Sequence, residues 1–160
     1  MNDFTSPMME SEDDMPNIID FGVDVNDVEL PELLPEGAYK GRIVNVSKMT
    51  GKESGKKYLR ANIIIPPESF PADFADAENY PDGVSLSYNL LPGEFRLPNG
   101  SVHKKNIHKI KTFANELGVT ISSTLDLELF NDVECLVHIS HRVFEEMPQM
   151  ECRKITGLAL

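Results

Sequence analysis

The chain has 160 residues, 41% of them hydrophobic, enough for one ordinary folded body with a core and some tail. The formal net charge is −11, and the two cysteines, Cys135 and Cys152, are too few for a disulfide framework or a metal site. No apolar run reaches membrane-spanning length, and the N-terminus lacks the basic and apolar parts of a secretory signal. The expectation is a cytoplasmic protein, in the host cytoplasm if viral, whose sequons at Asn45 and Asn99 are chance.

The charge is divided unevenly. Residues 1–38 hold eleven acids and no Lys or Arg, so everything after them is formally neutral. This predicts an acidic, largely flexible arm over residues 1–35 and a folded domain over 36–160. Residues 1–16 are polar and without periodicity, the signature of disorder. Residues 17–35 mix apolar residues with acids and end in Pro31 and Pro35.

The body opens with AYKGRIVNVSK, a first strand over residues 38–47, with Gly41 marking a bulge. A basic loop follows over residues 48–56. The second strand, KYLRANIII, places Leu59, Ala61, Ile63 and Ile65 on one face and Tyr58, Arg60 and Asn62 on the other. Residues 66–83 hold four prolines and five acids and read as an inserted loop. VSLSYNLL is a third strand, with Leu86 opposite Ser85, Ser87 and Asn89. In KKNIHKIKTFANELG, Ile107, Ile110, Ala114 and Leu117 recur at helical spacing and Gly118 stops the helix. VECLVHISHRV and MECRKITGLAL form a closing hairpin across FEEMPQ. The order β-β-β-α-β-β is that of the five-stranded OB barrel, a mainly β fold with one helix. Another α+β sheet with a helix across one face is the alternative.

Most candidate chemistry fails on spacing. GKESGKK has its glycines one residue too close for a phosphate loop, has Lys57 where Ser or Thr is required, and leads into a strand instead of a helix. His138 and His141 are three apart on a strand and point to opposite faces, which is poor geometry for one metal. Glu145 and Glu146 read as a solvated hairpin tip. No Ser or Cys has a nucleophile context, and no cofactor is expected. The carboxylates needed for a metal-dependent nuclease are clustered only in the 73–82 loop, without regular spacing.

The basic blocks read differently. Residues 39–60 carry seven bases against one acid, and residues 102–113 carry four lysines and no acid. Single-stranded nucleic acid is held by charge along its backbone and by planar groups beneath its bases. In an OB barrel the second and third strands and the 1–2 and 4–5 loops form such a surface. Lys40, Arg42, Lys48, Lys52, Lys56 and Lys57 are therefore expected at phosphates, with Tyr58, Arg60 and Tyr88 under bases. Arg142 and Phe144 belong to the rim of the last hairpin, near the others.

LLPEGAYKGRIVNVSKMTGKESGKKYLRANI, the helix IHKIKTFANELG and the run LELFNDVECLVHISHRV together resemble small phage-encoded OB-fold single-stranded DNA-binding proteins. The shared features are the acidic leader, the Leu-Pro-Glu-Gly lead-in, the Thr50-to-Gly55 loop, the Leu-Gly helix end and a short step into the fourth strand. The resemblance spans roughly residues 30–158. The sequence departs from it at Asn131 and Asp132, where a glycine is usual, in the long 66–83 loop, and in carrying its acid at the N-terminus. The resemblance implies a non-enzymatic protein that coats and protects single-stranded DNA in phage DNA replication or recombination. On that reading the arm mimics a strand or recruits replication or recombination proteins, and the chain is compatible with a homodimer. A protein-interaction or virion-assembly module is the alternative.

Overall fold

The structure, a computed structural model, describes residues 17–158, with Leu90 described without its side chain. The disorder read for residues 1–16 and the last two residues of the predicted fifth strand lie outside that range. The chain divides into two units, Met1–Pro31 and Glu32–Leu160.

In the first unit, a single 3-10 turn at Val25–Asp27 is capped by Asp24, whose carboxylate accepts from Asn26 N–H at 2.9 Å. The apolar side chains from Ile18 to Leu30 are exposed. The second unit begins four residues before the predicted boundary, because residues 32–36 are built into the body. Leu34 is completely buried. The Tyr80 hydroxyl donates to Glu32 O at 3.0 Å and the Tyr39 hydroxyl to Pro35 O at 2.6 Å.

The strands are β1 (Gly37–Thr50), β2 (Lys57–Ile65), β3 (Val84–Pro92), β4 (Glu134–Phe144) and β5 (Met147–Thr156), with helix α1 (Lys104–Glu116) between β3 and β4. They form one antiparallel sheet in the order β3-β2-β1-β4-β5. A short bridge between Arg96 and Val102 adds an extended pair outside these strands, so extended segments exceed the five expected.

The fold is thus mainly β with one helix, but the sheet is not hydrogen-bonded into the expected barrel. β3 and β5 are its two edges. An open recess lies at the seam between them, lined by Tyr88 and Leu91 from β3, Lys109, Phe113 and Glu116 from α1, and Ile155 from β5. Gly157, just past β5, closes on the helix end, its N–H donating to the Glu116 carboxylate at 2.8 Å.

The core follows the alternation of β2. Leu59, Ala61, Ile63 and Ile65 are all buried, and they meet Val84 and Leu91 of β3, Ile43 and Val46 of β1, and Cys135, Val137 and Ile139 of β4. Each fully buried Ile or Val contributes on the order of 2 kcal/mol of hydrophobic stabilisation. The helix turns Ile110, Phe113 and Ala114 inward, while Ile107 of the predicted stripe lies at the margin. The helix ends in a Schellman turn, with Val119 N–H to Ala114 O at 2.8 Å and Gly118 N–H to Asn115 O at 3.1 Å. Gly118 has φ 75, the conformation its predicted stop role requires.

The bulge falls at Val44, where the register between β1 and β2 shifts, and not at Gly41. Gly41 is small for another reason: a Cβ there would sit 2.7 Å from Ile64 O and 2.9 Å from Val137 Cγ2. The 66–83 loop is also more ordered than a plain insertion. Its Phe70, Phe74 and Tyr80 rings pack against one another at centroid distances of 5.6 to 6.4 Å, and Phe74 is buried.

Hairpin β4–β5 turns through Glu145 (φ 50) and Glu146 (φ 67). Two positive φ values mark a type I′ turn, which favours Asn-Gly and strains other residues. Replacing the pair by Asn-Gly is expected to raise stability by about 1–2 kcal/mol, measured as a higher denaturant midpoint at unchanged slope.

Candidate functional site

Across β1, β2 and β3 the face opposite the core is polar. It carries Asn45, Ser47 and Met49 from β1, Tyr58, Arg60 and Asn62 from β2, and Ser85, Ser87 and Asn89 from β3. Two hydrogen-bonded groups organise it. The Arg60 guanidinium donates through Nε to Asn89 Oδ1 at 3.0 Å and through Nη2 to the Tyr58 hydroxyl at 3.3 Å. That holds a planar cation beside an aromatic ring, with further N–H donors unspent. One rung away, Asn62 Nδ2 donates to Asn45 Oδ1 at 2.7 Å and Ser87 Oγ donates to Asn62 Oδ1 at 2.9 Å.

This face runs into the basic hairpin tip. β1 extends to Thr50, beyond the predicted residue 47, so Lys48 lies on the strand opposite Leu59 and not in the loop. It stands on the opposite side of the ribbon from Tyr58 and Arg60, and its side chain is exposed although its partner Leu59 is buried. Residues 51–56 make the tip, tied by Gly51 N–H to Lys56 O at 2.8 Å and Gly55 N–H to Gly51 O at 3.0 Å. Lys52 and Lys56 project from it, and Lys57 opens β2. Among the described residues, no ion pair involves Lys48, Lys52, Lys56 or Lys57.

Lys40 and Arg42 are placed differently. They lie on the half of β1 that pairs with β4, where Lys40 meets Glu134 at 3.3 Å and Arg42 meets Asp132 at 4.0 Å. Their charge is partly answered by protein. Tyr88 does not join Tyr58: it pairs with Ala61, on the core side, half-buried against α1 and β5. Burial, with Cys152 nearby, raises its phenol above the ordinary range. The alternation of β3 already puts Tyr88 with Leu86, which is why it cannot stack on the polar face.

Arg142 and Phe144 form a pair of their own, the guanidinium 5.7 Å from the ring centroid and 3.7 Å from Glu151. They stand beyond the Gly37 end of β1, whereas the basic tip lies beyond its Thr50 end. The two hairpin tips therefore flank β1 from opposite ends, and the ladder does not bring them together.

No family model matches the chain, and no curated protein matches it.

The remaining chemical groups have structural work. His141 donates through its backbone N–H to the Glu36 carboxylate at 2.7 Å, and its Nε2 meets Leu34 O at 2.6 Å, which fastens the lead-in to β1. His138, on the other face, bonds the Thr156 hydroxyl at 2.8 Å. Burial and the neighbouring Lys154 and Arg153 lower its pKa. Burial pushes Cys135 up to about 11 and Cys152 up to about 12, so both thiols stay protonated and unreactive at neutral pH. Among the described residues, no three His, Cys, Asp or Glu side chains gather as a metal set, and no helix is long and apolar enough to cross a membrane. The residues that sequence reasoning placed on this face without assigning them a role are Asn62, Ser87 and Asn89. Asparagine is depleted in strands, and that was the available signal.

Proposed function

We propose that this protein is a non-enzymatic single-stranded DNA-binding protein that coats and protects exposed strands during phage DNA replication or recombination. One observation carries the reading: the Tyr58–Arg60 pair on the polar sheet face continues directly into a hairpin tip bearing Lys52, Lys56 and Lys57. A single strand needs that combination, a planar platform for unstacked bases beside cations for phosphates. Lys48 extends the cationic stretch, whereas Lys40 and Arg42 contribute less because carboxylates already face them.

The element order and the β3-β2-β1-β4-β5 neighbour order suit an OB fold whose β3–β5 seam is not closed by hydrogen bonds and is flanked by α1. Asp132 adds support for the family resemblance. It sits at φ 65, a conformation that favours glycine, within the Asn131–Asp132 step where the resembled family usually has one, while Asn131 keeps φ −61. The acidic arm lowers affinity through its charge and offers a recruiting segment for replication or recombination proteins. A second reading, docking of a protein partner, is favoured by the exposed Val143, Phe144 and Met147 at the β4–β5 tip.

Titration of a labelled oligonucleotide at two salt concentrations, with the full chain and with a chain starting near residue 36, tests the proposal. Binding should weaken steeply as salt rises, and the shorter chain should bind more tightly at low salt. If neither form binds single strands at low salt, the proposal fails and the docking reading takes its place.

A further inference from the structure

The second basic block, Lys104, Lys105, Lys109 and Lys111, lies on α1 and has no part in the Tyr58–Arg60 face, because the helix packs on the core side of the sheet. Its first two lysines open the helix. Positive charge there opposes the helix dipole, and no acid stands in the first turn to offset it. Local preferences are broken most often where function requires it. Both side chains are exposed, and among the described residues neither takes part in an ion pair. Charge, and not the helix end itself, makes this surface, since His103 already takes the N–H groups of Asn106 and Ile107.

The fold brings this turn to the base of the basic hairpin. Tyr58 pairs with Pro92 at the end of β3, and Gly93 lies so close that a Cβ there would sit 2.5 Å from Tyr58 N. Glu94 then joins the two basic blocks. Its carboxylate accepts from Lys57 N–H at 3.5 Å, and its carbonyl accepts from Asn106 Nδ2, in the first turn of α1, at 2.8 Å. His103 N–H, donating to Phe95 O at 2.9 Å, fixes the helix start beside it. Lys57 alternates with Tyr58 along β2 and so stands on the core side of the ribbon, as Lys48 does. Lys48, Lys57, Lys104 and Lys105 therefore share the side that α1 occupies, with Glu94 as the acid between the two pairs. The helix then leads away: its far end, Glu116, is bonded to Gly157 beyond β5. Lys109 and Lys111 lie about 6–10 Å farther along its axis.

From this geometry we infer that the bound single strand does not end at the hairpin tip but crosses it, and that its phosphates continue over Lys48 and Lys57 onto Lys104 and Lys105 in the first turn of α1. The inference rests on the single-stranded DNA reading and lengthens its path. Tyr58 and Arg60 hold bases on one side of the ribbon, and the two basic blocks together hold the backbone on the other. Two stretches of sequence more than forty residues apart thus form one phosphate track, joined through Glu94.

The test titrates labelled oligo(dT) of about 20 nucleotides, longer than the roughly 4–16 that one OB fold covers, at several salt concentrations. It compares the full chain with two double variants of equal charge change, Lys104→Ala with Lys105→Ala and Lys109→Ala with Lys111→Ala. The slope of log affinity against log salt should become shallower by about 1.4 in the first variant, two phosphate contacts at about 0.7 each, and by clearly less in the second. Lys104→Arg with Lys105→Arg should keep the slope of the unaltered chain. Because the two lysines oppose the helix dipole, the first variant should melt no lower than the unaltered chain. An unchanged slope in the first variant, or equal changes in both double Ala variants, would overturn the inference and leave the DNA reading standing. Failure of the full chain to bind at low salt would remove the DNA reading and this inference with it.

Discussion

Replacing Lys52, Lys56 and Lys57 together by Ala should weaken oligonucleotide binding by about two orders of magnitude near 0.1 M salt. The slope of log affinity against log salt should become shallower by about 2. Both figures follow from counterion release, in which each phosphate contact on a single strand contributes about 0.7 to the slope. The three side chains make no ion pair among the described residues, so their removal leaves no buried acid unpaired. The tip is held by backbone bonds from Gly51 and Gly55 and by the Ser54 hydroxyl, none of which the substitutions touch. The thermal midpoint should therefore stay near that of the unaltered chain. The Lys40→Ala, Arg42→Ala pair provides the contrast. These residues already face Glu134 and Asp132, so their loss should change the slope by less than two equivalent tip lysines. Equal slopes for the triple variant and the unaltered chain would show that the tip does not meet phosphate.

The same division explains what was legible in the sequence. β2 was readable in full because each residue obeys a period of two and one face is wholly apolar, from Leu59 to Ile65. β1 was cut short at residue 47 because beyond Val46 the strand leaves the core. No buried apolar residue then marks Ser47 to Thr50 as paired, although their partners run from Arg60 to Lys57. Gly41 signalled a bulge because glycine in a strand has two common causes. Here the cause is close approach by Ile64 and Val137, facts of tertiary packing that no local pattern carries. The paired state of Lys40 and Arg42 was hidden for a related reason. Their acids, Glu134 and Asp132, lie some ninety residues away in a block that reads only as negative. The open seam between β3 and β5 could not be foreseen at all, since strand order in space and the position of α1 beside the gap are set by the assembled core.

Phe130→Ala should cost about 3–5 kcal/mol, a large share of the 5–15 kcal/mol typical of a whole domain. Phe130 is completely buried, with its ring 5.4 Å from that of Phe113 on α1. It ends the 3-10 turn at Leu127–Phe130, immediately before the segment that locks onto β1 through Asp132 N–H to Ile43 O at 2.8 Å and Ile43 N–H to Val133 O at 2.9 Å. One ring therefore joins the helix to the step that sets the β1–β4 register. Truncation leaves a cavity that helix and turn cannot both close, whereas Phe130→Leu keeps most of the volume and should cost clearly less. Denaturant midpoints of the three proteins should rank in that order. The Tyr58–Arg60 platform lies on the other face of the sheet, so the Ala variant, where folded, should keep its affinity. A saturating oligonucleotide should then stabilise the variant and the unaltered chain by the same free energy, because linkage depends on ligand concentration and affinity alone. A smaller stabilisation of the Ala variant would mean that the core turn also shapes the binding face, which would tie the two halves of the molecule more closely than the sheet geometry implies.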